Sequence, residues 1–254
     1  MKLSKPKKKY KALILDVDGT LIPNEIDGIP SKGVTDAIRK ITKRIHVGLA
    51  TSRLYGLINH ITDRLELSGP SITSAGARVI DISTKKILWE QCINQHAVID
   101  VCRILEKYKL SVMVNDNGRD IGFSKKYIPK KPLTIFVISV SPKYIDYIVK
   151  EVSTISAISA HKVPSWKKGQ ITISITHKSA TKQHALLELA KILKIETHEI
   201  IGVGDGHNDL PFLMACGLKI AMGNAVSELK AISHYVAPSV DNDGVADVIN
   251  KFIL

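Results

Sequence analysis

The stretch Tyr10–Leu21, YKALILDVDGTL, decides how this chain is read. Ala12-Leu13-Ile14-Leu15 is an unbroken apolar run of strand length, as expected for a strand buried on both faces of a parallel sheet. Asp16 and Asp18 stand at its C-terminal end, and Gly19 lets the chain turn sharply. In an extended segment residues i and i+2 point to the same side, so both carboxylates can face one small volume. Two like charges so close call for a cation between them or a proton on one of them. A divalent metal and acid/base chemistry suit that arrangement. A plain strand followed by an Asp-Gly turn is the alternative for these residues alone.

Working outward, two more apolar runs end in oxygen ligands. HVGLA ends at Thr51, with Ser52 and Arg53 next, and IIGVG ends at Asp205, with Gly206, His207, Asn208 and Asp209 beyond it. Ligands of open parallel sheets bind at the carboxyl ends of the strands. If these three strands are neighbours, Asp16, Asp18, Thr51 and Asp205 converge. Oxygen-only ligands of this kind suit Mg²⁺, which keeps several waters and shares a substrate phosphate. For GDGHND alone, a strand-to-helix turn capped by Asn208 or Asp209 is the structural alternative.

The segments between support a layered α/β fold. Ser31 is a plausible N-cap for a helix with Val34, Ala37, Ile38 and Ile41 on one stripe. A second helix is predicted over 55–67 and a short strand over 71–74, so the first eighty or so residues read β-α-β-α-β. From 82 to 178 the texture changes to short strands with two helices, one capped by Asn94 and one opened by Ser141-Pro142. The pattern then returns: a helix over 179–193, a strand over 199–204, a helix over 209–216, a strand over 218–222, and two further short elements. The expected fold is a doubly wound parallel sheet, residues 11–81 and 179–254, with an inserted α/β domain at 82–178 and a basic tail at 1–10.

Composition narrows the function classes. The chain has 254 residues, 44% of them hydrophobic, and a formal charge of +12. Its lysines are spread along the chain and aromatics are only 5%, with no basic stretch interleaved with stacking rings, which disfavours nucleic acid as a partner. No apolar run is long enough to span a bilayer and no secretory signal opens the chain. Cys92, Cys102 and Cys216 are scattered and odd in number, the pattern of buried thiols in a reducing, cytoplasmic compartment.

DVDGT at 16–20, the strand end at Thr51, Lys182 on a helix and GDGHND at 204–209 together resemble the four motifs of the haloacid-dehalogenase-like phosphatases. The insert lies where the Cof-type branch carries its α/β cap. The resemblance implies hydrolysis of a small phosphomonoester, such as a sugar phosphate or a phosphoglycolate-like acid, with Mg²⁺. Asp16 would be the nucleophile and Asp18 the general acid and base. Thr51 would donate to a phosphoryl oxygen, and Lys182 would offset negative charge. Mg²⁺ would be held by Asp16, the backbone carbonyl of Asp18, and Asp205, with Asp209 and Asn208 acting through water or orienting Lys182. Gly19, Ser52, Arg53 and Asn208 would line the substrate side.

The chain departs from the branch at three places: Ser52 and Gln183 replace glycines, and Ala75 replaces a substrate-side asparagine. In the insert, Asn115, Asp116, Lys162 and Trp166 are polar or aromatic candidates at strand ends, each better read as structural or surface. A phosphotransferase or mutase of the same superfamily, or a non-catalytic basic binding protein on this scaffold, remain alternatives.

Overall fold

The computed structural model describes residues 10–123, 129–164 and 170–254. In chain order the first half carries β1 (Ala12–Leu15), α1 (Lys32–Ile41), β2 (His46–Leu49), α2 (Asn59–Leu65), β3 (Pro70–Thr73), β4 (Arg78–Asp81) and β5 (Ile87–Glu90). The middle carries α3 (Gln95–Glu106), β6 (Val112–Asp116), β7 (Arg119–Gly122), β8 (Pro132–Val140), α4 (Pro142–Val152), β9 (Ile158–Pro164) and β10 (Ile171–His177). The last part carries α5 (Lys182–Leu193), β11 (Ile200–Gly204), α6 (Leu210–Ala215), β12 (Leu218–Ala221), α7 (Ser227–Ile232), β13 (Tyr235–Val236) and α8 (Gly244–Phe252).

A parallel sheet of order β13-β12-β11-β1-β2 forms the centre. β1 is buried along its whole length, as its unbroken apolar run demands. Its side chains alternate between layers. Leu13 and Leu15 pack with residues of α1, α2 and α8, while Ala12 and Ile14 pack with residues of α5, α6 and α7. Leu15 lies opposite Val203 of β11 on one side and Leu49 of β2 on the other, so the three strands end level. The chain winds away from β1 in both directions, and the switch falls between β1 and β11, where a ligand crevice is expected.

β3 joins β2 through the parallel bridge between Ala50 and Ile72, then pairs antiparallel with β4. The middle of the chain forms an antiparallel sheet of order β7-β6-β8-β10-β9. Val114, Ile135, Val137, Ile173 and Ile175 cover one face of it and pack under α3 and α4.

Several predicted boundaries shift for local reasons. The helix expected over 55–67 opens as a tight turn at Tyr55–Leu57, and α2 ends where Glu66 adopts the left-handed conformation. The helix expected from 179 begins at Lys182, because Thr181 is the N-cap and accepts from the His184 N–H. Ser31 and Asn94 cap α1 and α3 as expected. After β12 come α7, β13, a 3-10 turn at Val240–Asn242 and α8, where two short elements were expected. The basic stretch before Tyr10 lies outside the described residues. All three cysteines are free, and Cys102 and Cys216 are buried. No helix among the described residues is long and apolar enough to cross a membrane.

One turn ties β3 to α5. Ser74, Ala75 and Gly76 all have positive φ, and the Ala75 N–H donates to the Thr51 carbonyl. A Cβ on Gly76 would lie 2.2 Å from the Thr181 carbonyl carbon and 2.5 Å from the Lys182 nitrogen. The turn therefore seats directly on the start of α5. Gly76→Ala combines a left-handed backbone with a backbone overlap, and should cost at least about 2 kcal/mol of stability in urea denaturation.

Candidate active site

Asp16 extends β1 by one residue, its N–H donating to the Val203 carbonyl, and is 6% exposed. Asp205 follows β11 directly. Asp209 sits four residues on, fully buried, at the end of a one-turn 3-10 helix over His207–Asp209. Carboxylate oxygens of Asp16, Asp205 and Asp209 lie within 4.8 Å of one another.

Lys182 enters this group from the first turn of α5. Its Nζ donates to Asp16 Oδ1 at 2.7 Å and to Asp209 Oδ1 at 2.6 Å. A lysine at a helix N-terminus opposes the helix dipole, and burial of its ammonium is costly. Only two carboxylates at hydrogen-bond distance make the position tolerable. Burial alone would lower the Lys182 pKa, but Asp16 and Asp209 outweigh it and hold the ammonium above its ordinary range. Asp209 is fixed in turn: its Oδ2 accepts from the N–H groups of Asp205 and Gly206 at 3.1 and 3.0 Å. Asp209 thus joins Lys182 to the loop after β11.

Three carboxylates against one lysine leave an excess of negative charge. Burial, then Asp209, push Asp205 up to about 7. Burial, then Asp209, hold Asp16 well above the carboxylate range, although Lys182 pulls the other way. A further cation beside Asp16 and Asp205 would offset that excess. Buried, hard oxygen donors fit a divalent ion such as Mg²⁺. The close approach of Gly19 fits as well. It has φ +76°, and a Cβ there would lie 2.2 Å from Asp205 Oδ2.

The Asp18 carboxylate is not in this group. Both aspartates line one cavity, but the Asp18 side chain is taken by Arg53, whose Nε and Nη2 donate to it at 3.0 and 2.6 Å. The reason is that the chain leaves extended geometry after Asp16, bridging Asp18 to Ile22 around Gly19. Arg53 is 4% exposed, not a surface arginine, and also donates to the carbonyls of Glu25 and Ile26. It thereby fastens the loop after the first motif to the second.

Thr51 is fully buried, and its Oγ1 accepts from the Arg53 N–H, leaving its own proton to donate. It closes a local turn behind the wall, while Ser52 lines the cavity with Gly19 and Asn208. Asn208 Nδ2 faces Ser52 Oγ at 3.5 Å.

Two supporting residues were not singled out from sequence. Thr20 Oγ1 donates to Asp205 Oδ1 at 3.3 Å. Asn224 Nδ2 donates to the Gly19 carbonyl at 2.8 Å, and Asn224 Oδ1 accepts from Val240. Only the Gly-Asn pair after β12 hinted at the second. In the insert, Asn115 is buried and serves the β6–β7 turn, Asp116 accepts from the N–H groups of Lys130 and Lys131, and exposed Lys162 pairs with Asp146. Trp166 lies outside the described residues. Met113, Asp120, Phe136 and Ile138 line the cavity instead.

With this geometry in view, the comparisons agree on a family. A family model for haloacid dehalogenase-like hydrolases matches residues 13–125 and 115–249. The chain belongs to that family. It is 26% identical to the stress response protein YhaX of Bacillus subtilis, over 94% of this chain and 92% of that one. It is 26% identical to a phosphoglycolate phosphatase of Staphylothermus marinus, over 94% and 95% of the two chains. Its fold is shared by BT1666 of Bacteroides thetaiotaomicron, described among phosphatases of the same superfamily, with TM-score 0.82, 20% identity and coverage of 98% and 97%.

The carboxylate charge gives a pH-dependent test. Asp16 and Asp205 have folded pKa values above their unfolded ones, so between those values the folded state binds more protons and stability falls as pH rises. A divalent ion offsets this only once the carboxylates are ionised. In thermal melts Mg²⁺ should therefore raise Tm more at pH 8 than at pH 5.5. Asp205→Asn should remove most of that gain.

Proposed function

We propose that this protein is a phosphatase that hydrolyses a small phosphomonoester through an aspartyl-phosphate on Asp16. The observation that carries the reading is buried Asp16, Lys182 and Asp209 with half-buried Asp205, gathered where β1, β11 and the start of α5 meet, beside a cavity of about 230 Å³. An Asp16 oxygen attacks phosphorus as the bond to the leaving alkoxide breaks, so one hard displacement becomes two easier ones. Asp18, held at the cavity wall by Arg53, gives a proton to the leaving oxygen and takes one from the water that attacks the phosphoenzyme. Lys182 balances charge on Asp16 and the phosphoryl group, and Asp209 keeps its ammonium in place. Ser52 supplies a hydroxyl on the cavity wall at the end of β2, with the Thr51 hydroxyl behind it. Asp16, Asp205 and the Asp18 carbonyl would hold Mg²⁺, which neutralises phosphoryl charge when bound. Asn208 lies on the substrate side.

Residues 11–81 and 179–254 act in this proposal as the catalytic core and 82–178 as its cap. β5 is the part of the cap segment that pairs back to β4. The cap keeps bulk water from the phosphoenzyme and contacts the leaving group.

The test is p-nitrophenyl phosphate hydrolysis with Mg²⁺, with EDTA, and by Asp16→Asn. Metal-dependent turnover that falls by at least about 10³-fold in the variant is expected. Turnover that survives Asp16→Asn would remove Asp16 as nucleophile.

A further inference from the structure

The cavity wall is made of two unlike sets of residues. Beside Asp16 it is polar, with Asp18, Ser52, Arg53, Asp205 and Asn208. The rest of its wall includes Leu54 and Leu57 from the segment after β2 and Met113, Phe136, Ile138 and Val163 from the β6–β10 sheet, and the larger part of the exposed lining is apolar. Met113 and Phe136 are direct cross-strand partners, so they stand side by side on the face of the cap sheet opposite α3 and α4. Ile138, two residues along β8, continues that face and is 43% exposed. An exposed isoleucine beside a phenylalanine and a methionine calls for an apolar partner, and a thioether at a ring edge favours an aromatic one. Among the described residues of the cap wall, only Asp120 and Thr172 offer polar groups, and Asp120 is oriented by a hydrogen bond from Asn115 Nδ2.

Resting on the phosphatase reading, we infer that the substrate is the phosphomonoester of an apolar, ring-bearing alcohol with a hydrogen-bond donor at its far end, not of a polyol. An apolar cavity of about 150 Å³ accepts benzene. The volume here therefore suffices for a ring beside the phosphoryl group. Each polyol hydroxyl set against this wall without a partner costs a factor of about ten or more in affinity. The ring stacks on Phe136 between Met113 and Leu57, and the donor reaches Asp120. Asp120 and Phe136 are thus specificity-determining residues on the cap side.

The experiment compares kcat/KM for benzyl phosphate, 4-(aminomethyl)benzyl phosphate, hexitol 6-phosphate and acetyl phosphate, with Mg²⁺. The first three differ in the body of the leaving alcohol, and all leave as primary alkoxides. Benzyl phosphate should exceed hexitol 6-phosphate by at least about tenfold, the aminomethyl group should add a further gain, and Asp120→Asn should remove that gain. In Phe136→Asn the benzyl-to-hexitol ratio should collapse, and in Phe136→Leu it should be largely kept. Turnover of acetyl phosphate with hexitol 6-phosphate equal to or better than benzyl phosphate would overturn the inference and leave the phosphatase reading intact. No turnover of any probe would overturn that reading, and the inference with it.

Discussion

The ammonium of Lys182, buried between Asp16 and Asp209, is the interaction on which the rest of the site depends. It holds three sequence-distant parts together: the end of β1, the start of α5 and the loop after β11. Removing one partner of such a buried set leaves an uncompensated charge, which costs about 3–5 kcal/mol. The positive charge is also insufficient by itself, since burial and mutual repulsion still push the Asp16 and Asp205 carboxyls upward. In the proposed reaction a bound cation would offset that excess, where a phosphoryl group would also bring negative charge.

That arrangement explains features that look incidental alone. The parallel register brings β1, β2 and β11 to a common end. Gly76 permits the β3 turn to seat on the backbone of Thr181 and Lys182, fixing the height at which α5 starts. Asp209 spends its second oxygen on two loop amides, so the loop and the lysine are set by one side chain. Arg53 does the same for the other half of the site, binding Asp18 and two carbonyls of the preceding loop at once.

What could be read from the sequence follows from locality. β1 with Asp16 and Asp18, and β11 with Asp205 and Asp209, lie within a few residues of their strands, so an apolar run and its polar end sufficed. Lys182 is one lysine among many, and only its distance from the last motif singled it out. Arg53 could not be told from a surface arginine, because its counter-charge lies 35 residues away. β8 is an apolar run of strand length, but which of its side chains face α3 and α4 and which face the cavity depends on packing that no local pattern contains. Polar residues of the insert drew attention for that reason, whereas the cavity wall consists mainly of apolar ones. The left-handed backbone at Ala75, where the branch commonly carries asparagine, was likewise hidden, since alanine gives no signal for positive φ.

The central claim is that Asp16 carries the phosphoryl group between two half-reactions. Acid quench of the protein during turnover of a ³²P-labelled phosphomonoester with Mg²⁺, followed by peptide mapping, tests it directly. The account predicts acid-stable, hydroxylamine-sensitive label on the peptide containing Asp16, and none in Asp16→Asn. Label on another residue, or turnover that proceeds with no covalent label at any quench time, would contradict it.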